Sequence, residues 1–140
     1  MKNTLTNARN RFQDFLNSQD TLQIYRENKL VFSSQKDKVI PLLEYIESPL
    51  SEQGSSIIFD RIMGNAAALL SIKAGAVEVF SPMGSQIGID TLVKFNIKYH
   101  INKIVPFIQK DNSNDMCFME KLSTEKTPDD FYTAIKAIIK

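Results

Sequence analysis

Cysteine and histidine occur once each among 140 residues, and tryptophan is missing. One cysteine cannot close an internal disulfide, which excludes a stapled secreted scaffold. One cysteine and one histidine also cannot build the usual four-ligand structural zinc sites. Any Ser-His-Asp or Cys-His machinery would have to run through His100. An excess of one charge is lacking too: 17 Lys and Arg stand against 16 Asp and Glu, for a net +1. That balance gives no electrostatic ground for binding nucleic acid or an anionic membrane. No apolar run approaches the roughly 20 residues of a spanning helix. The N-terminal MKNTLTNARNRFQDFL has polar residues where a signal peptide needs an unbroken apolar region. The expectation is a soluble cytoplasmic protein with no metal and no cofactor, whose partner is a small molecule or a second copy of itself.

What is present is 43% apolar residues, enough for a core in a single domain over 1–140. Leu5, Ala8, Phe12, Phe15 and Leu16 recur at helical spacing, predicting a helix over about Thr4–Asn17 with Asn3 or Thr4 as its cap. Thr21–Arg26 and Leu30–Ser33 predict a β-hairpin turning near Asn28, a residue able to take a positive φ. Asp37–Glu47 reads as a helix, Ser48–Gly54 as a loop and Ser55–Phe59 as a buried strand. Gly64–Lys73 reads as an alanine-rich helix, followed by a strand over Ala76–Phe80. Ser81–Gly84 then predicts a loop, Ser85–Phe95 a helix and Ile97–Ile101 a strand. Asn102–Gln109 reads as extended or irregular, and Met116–Leu122 has no assigned type. Thr127-Pro128-Asp129-Asp130 starts a last helix with cap, proline and acids in order. A terminal helix thus flanks each end (1–20 and 123–140) of a core over 21–122. Strands alternating with helices indicate an α/β three-layer α/β/α sandwich around a mixed sheet.

The segment Asp60-Arg61-Ile62-Met63-Gly64-Asn65-Ala66 runs from a strand end into a helix start, the junction at which open α/β sheets bind ligands. The helix start offers free N–H groups suited to an anion, and Gly64 lets a ligand approach. The bland alternative is that Asp60 caps a turn and Gly64 serves packing. Ser81 and Ser85 flank the equivalent junction one strand later; Ser85 is also a natural N-cap. Cys117 and Glu120 lie three residues apart, one helical turn, and would share a face. A lone cysteine is more often a small buried hydrophobe, and His100, in a strand, more often structural.

Three separated stretches resemble domain-of-unknown-function family 1893: Asp60 to Ala68, Val77-Glu78-Val79, and Val105-Pro106-Phe107-Ile108 followed by Met116-Cys117-Phe118-Met119-Glu120. The hairpin and Ile40-Pro41-Leu42-Leu43 fit as well, so the resemblance spans roughly Thr21 to Lys121. It implies a cytidine-deaminase-like fold and no assigned activity. Two positions depart from the family pattern. Asn65 stands where a lysine is usual, leaving a neutral donor, and Phe118 stands where a proline is usual. A zinc deaminase of that fold needs H-x-E or C-x-E on one helix and P-C-x-x-C on the next. Those would fall near Gly64-Asn65-Ala66 and Pro82-Met83-Gly84-Ser85, which supply no thiolate, imidazole or proton shuttle, so zinc-dependent deamination is rejected.

Two readings follow. In the first, Asp60, Gly64, Asn65, Ser81, Ser85, Cys117 and Glu120 line a crevice for a nucleotide or another phosphorylated metabolite. Asp60 or Glu120 would serve as acid or base, and Cys117 as nucleophile. In the second, the chain is a non-catalytic interaction module that dimerises through the hairpin or terminal helix. An open pocket containing Asp60, Cys117 and Glu120 favours the first; a crevice filled by Met63, Met83, Met116 or Phe118 favours the second.

Overall fold

A computed structural model describes residues 4–139. The elements are α1 (Thr4–Leu16), β1 (Leu22–Arg26), β2 (Lys29–Ser34), α2 (Ile40–Glu47), β3 (Ser56–Asp60), β4 (Ile62–Met63), α3 (Asn65–Lys73), β5 (Ala76–Ser85), α4 (Gln86–Lys94), β6 (Lys98–Val105), α5 (Phe118–Ser123) and α6 (Pro128–Ile138). The expected cap Asn3 falls outside the described residues. Among the described residues, no helix is long and apolar enough to cross a membrane.

The six strands form one mixed sheet. The hairpin β1–β2 turns through Glu27 and Asn28, both at positive φ (51° and 68°), which matches the handedness of a two-residue hairpin turn. β1 pairs antiparallel with β3, and β3 pairs parallel with β5. β4 continues the line of β3: Phe59 lies opposite Phe80 and Ile62 opposite Met83 at the same offset along β5, so Arg61 merely interrupts one strand. β6 pairs parallel with β5 on its other side.

Successive strand residues point to opposite faces, and the clusters show it. Phe59 and Phe80 pack with Ala8, Phe12 and Phe15 of α1, with ring centroids 5.3–5.8 Å apart in the sheet contacts. Ile58 and Val79 join the larger core on the other face, with Leu42, Leu69, Leu92, Phe131 and Ile135 from α2, α3, α4 and α6. Helices therefore cover both faces. α3 is buried along nearly its whole length, and its alanines let it lie close to the sheet and to α4. Thr127 caps α6 as expected, accepting from Asp130 N–H at 3.0 Å, with Pro128 first and Asp129 and Asp130 following.

Three sequence expectations are corrected. Ser81–Gly84 is strand, not loop, because β5 is held there from both sides, by β4 and by β6. The ladder skips Pro82, which has no N–H, and the Ser81 hydroxyl spans the gap by donating to Met83 O at 2.8 Å. β6 runs on to Val105 because β5 extends far enough to pair with it. Pro49–Gln53, read as loop, forms a short 3-10 turn.

Candidate active site

β1 begins at Leu22, opposite Asp60, so among the described residues β4 has a strand partner only on its β5 side. The sheet is open beside β4, and a cavity of about 430 Å³ lies there. Thr21, Asp60, Arg61, Ile62 and Gly64 line it from the sheet and its connections, and Ala66 and Ala67 from α3. Ile108, Cys117, Met119 and Glu120 come from the segment that leads out of β6 into α5. Exposed Asp37, Lys38 and Asp111 contribute at the rim, and buried Val39 adds an apolar wall.

Asp60 sits at the strand interruption and is 8% exposed. Burial pushes its carboxyl up to about 7, outweighing the backbone N–H groups of Arg61 and Ile62 that favour the charged form. The neighbouring guanidinium does not serve as its counterion. Arg61 instead donates to the carbonyls of Phe15 (3.0 Å), Ser18 (2.8 Å) and Asp20 (2.9 Å) and lies over the Phe15 ring at 4.5 Å. A cation among carbonyls at and just beyond a helix C-terminus is favourable, so Arg61 ties α1 to the sheet.

Glu120 is 2% exposed and both of its oxygens are engaged. Oε1 accepts from Asn65 N–H at 2.7 Å, and Oε2 accepts from Ile108 N–H at 2.8 Å. Glu120 is thus the anion at the start of α3. The first N–H of the helix start, expected to be open to an anion, is therefore taken, and an incoming phosphate would meet a carboxylate. Glu120, weighed in the sequence as an acid or base, holds two backbone segments with its two oxygens. Gly64 is needed for the same contact, because a Cβ there would come within 2.8 Å of Ile108 Cγ1 and 2.9 Å of Glu120 Oε1. Cys117 is half-buried, lines the cavity and immediately precedes α5; its N–H donates to Ile108 O at 2.8 Å.

Asp60, Gly64, Cys117 and Glu120 therefore meet at one cavity, whereas Asn65, Ser81 and Ser85 do not line it. The Asn65 amide donates to Ser123 O and Oγ, each at 3.0 Å, and its oxygen accepts from Thr91. Ser81 is spent on Met83, and Ser85 caps α4 by accepting from Gly88 N–H at 3.0 Å. His100 pairs with Glu78 at 2.7 Å and stacks on Phe80 at 4.2 Å, within the sheet and outside the cavity lining. Phe118, where the family resemblance expects proline, is the first residue of α5, a position whose N–H has no intrahelical partner, so either residue suits it. Among the described residues, no group of three or more His, Cys, Asp or Glu side chains could hold a metal ion. The Asn65 side chain is engaged through both its nitrogen and its oxygen, and Pro82–Ser85 lie inside β5, with the Ser85 hydroxyl capping α4.

Thr21, Asp37, Lys38 and Asp111 at the cavity were not singled out in the sequence. Each lies in a segment between regular elements, in polar stretches with no motif to mark them. Lys38 has a positive φ of 59°, which no sequence pattern announced.

The family model described as Domain of unknown function (DUF1893) matches residues 11–139. A crystal structure of a DUF1893 family protein from Thermotoga maritima superposes with a TM-score of 0.82 at 20% sequence identity, covering 99% of this chain and 92% of that one. This likeness establishes a shared fold and assigns no residue a role. No curated protein matches the sequence. The chain belongs to the DUF1893 family.

Proposed function

We propose that this DUF1893 family member binds a small molecule in the cavity beside β4 and that Asp60 exchanges a proton with it. The observation that carries this reading is a buried carboxyl on a cavity wall whose pKa is raised to about 7. An acid–base group works best when its pKa lies near the working pH, and burial beside a cavity is how proteins reach that value with a carboxyl. Cys117, at the same cavity, is the nucleophile within this reading. Glu120 positions the α3 start and the Ile108 segment that form two of the walls.

The open cavity supports ligand binding over the interaction module. Met63, Met83, Met116 and Phe118, the side chains that would have filled it, are not among the residues that line it. A deaminase-like fold and a cytoplasmic location belong to the same reading. The first is supported by the mixed sheet with an antiparallel hairpin at one side, the second by the single unpaired cysteine.

A thermal-shift screen of nucleotides, phosphorylated metabolites and uncharged or cationic metabolites tests this. The expected result is a stabilising compound that also protects Cys117 from iodoacetamide. No shift across the library, together with a Cys117 unreactive in the native protein, overturns the reading.

A further inference from the structure

The charges around the cavity are not evenly free to act on a ligand. Four carboxylates (Asp37, Asp60, Asp111, Glu120) and two cations (Lys38, Arg61) line it. The Arg61 guanidinium is spent on α1 carbonyls, and Glu120 is spent on two N–H groups. What remains for a ligand is Asp60 within the wall, Asp37 and Asp111 at the exposed rim, and Lys38 beside them. Asp60 is more than nine-tenths buried and has no side-chain partner; only the adjacent Arg61 and Ile62 N–H groups reach it. A carboxylate has about four acceptor positions, so Asp60 retains acceptor capacity toward the cavity. Val39, Ile62, Ala66, Ala67, Ile108 and Met119 give the wall a large apolar area, beside the uncharged Thr21, Gln109 and Cys117.

Resting on the reading above, we propose that the ligand of this cavity is a compact molecule with an apolar body and a nitrogen group of the amine, amidine or guanidine class directed at Asp60, and not a phosphorylated one. A cationic donor completes the unfilled acceptor positions of Asp60 and is attracted by Asp37 and Asp111. A phosphate would face three carboxylates with Lys38 as the single uncommitted cation.

Four probes sharing one ring separate the possibilities: benzamidine, benzamide, benzoate and phenyl phosphate. Binding is followed by calorimetry and by the backbone amide resonances of Gly64 and Cys117. Benzamidine is expected to bind at pH 8 at least about tenfold more tightly than benzamide, with no saturable binding of the two anions. Its affinity is expected to fall about tenfold from pH 8 to pH 6 as Asp60 takes up a proton. Lys38, Arg61, Asp37, Asp111, Cys117 and Glu120 are the other titratable groups at the cavity. Asp60→Asn is expected to abolish both the preference and the pH dependence. The double variant Asp37→Asn, Asp111→Asn, confined to exposed positions, is expected to weaken benzamidine about threefold and reduce its salt dependence. Tighter binding of phenyl phosphate or benzoate overturns the ligand class and leaves the cavity reading standing. So does benzamidine binding that is indifferent to both variants. Silence from all four probes while library compounds of another class occupy the cavity also overturns the ligand class; silence from the probes and the whole library overturns both readings.

Discussion

At the first strand-to-helix junction, after Met63, the leading N–H of α3 is satisfied by Glu120, 55 residues further along the chain. At the second, after Ser85, α4 is capped by Ser85 itself, three residues from the donor it holds. The two helix starts touch: a Cβ on Gly88 would meet Gly64 carbonyl carbon at 2.8 Å. Yet only the first opens on the cavity. The second is closed in because β5 continues up to its helix with a strand on each side. At the first, β1 stops short and β4 has one neighbour, so the space beside it is walled by the returning Ile108–Glu120 segment. A local cap makes a self-sufficient junction. A cap delivered from a distant segment makes a junction whose stability and whose cavity depend on the same side chain.

The largest test of this contrast is Glu120→Ala, which leaves two N–H groups without their acceptor. Unfolding in urea at pH 7 is expected to show a loss of about 3–5 kcal/mol, the scale of two charge-assisted hydrogen bonds, one to a buried and one to a part-buried donor. A loss no greater than that of removing the Ser85 cap would break the comparison.

Asp60→Asn sharpens it through pH. The folded chain holds a proton on Asp60 that the unfolded chain releases, because the pKa is raised from 3.8 to about 7. The stability of the neutral form is fully present below about 3.8 and is lost as pH rises through about 7. The asparagine variant lacks this slope, so its stability relative to the parent is expected to climb between pH 4 and pH 8, by at most about 4 kcal/mol at 1.36 kcal/mol per pKa unit. Denaturant midpoints of both proteins at the two pH values measure it; parallel curves would remove Asp60 from its acid–base role. The smallest effect belongs to Ser85→Ala, expected to cost about 1 kcal/mol as for other serine caps, with the Cys117 alkylation rate unchanged.

The elements legible in the sequence are those whose signals lie within a few residues. Thr127-Pro128-Asp129-Asp130 announced α6, Asn28 the hairpin, and the alanines after Gly64 a helix packed close to its neighbours. Asp60, Gly64, Cys117 and Glu120 line one cavity, and the strand end and helix start that carry the first two were legible as an opening in a sheet. Asn65, Ser81 and Ser85 lie elsewhere because their polar atoms are used by partners that residue type does not reveal.

By itself the sequence determined the alternation of strands and helices, the hairpin, the last helix with its cap and the absence of thiol and imidazole sets for zinc. These follow from local propensity, periodicity and plain counts. Only the tertiary structure decided that Ser81–Gly84 is strand, that Arg61 serves the end of α1, that Glu120 closes the start of α3, and that Asp60 is left buried beside a cavity. Each of those depends on a partner brought near by folding, and the desolvation that raises the Asp60 pKa exists only once the chain has closed around it.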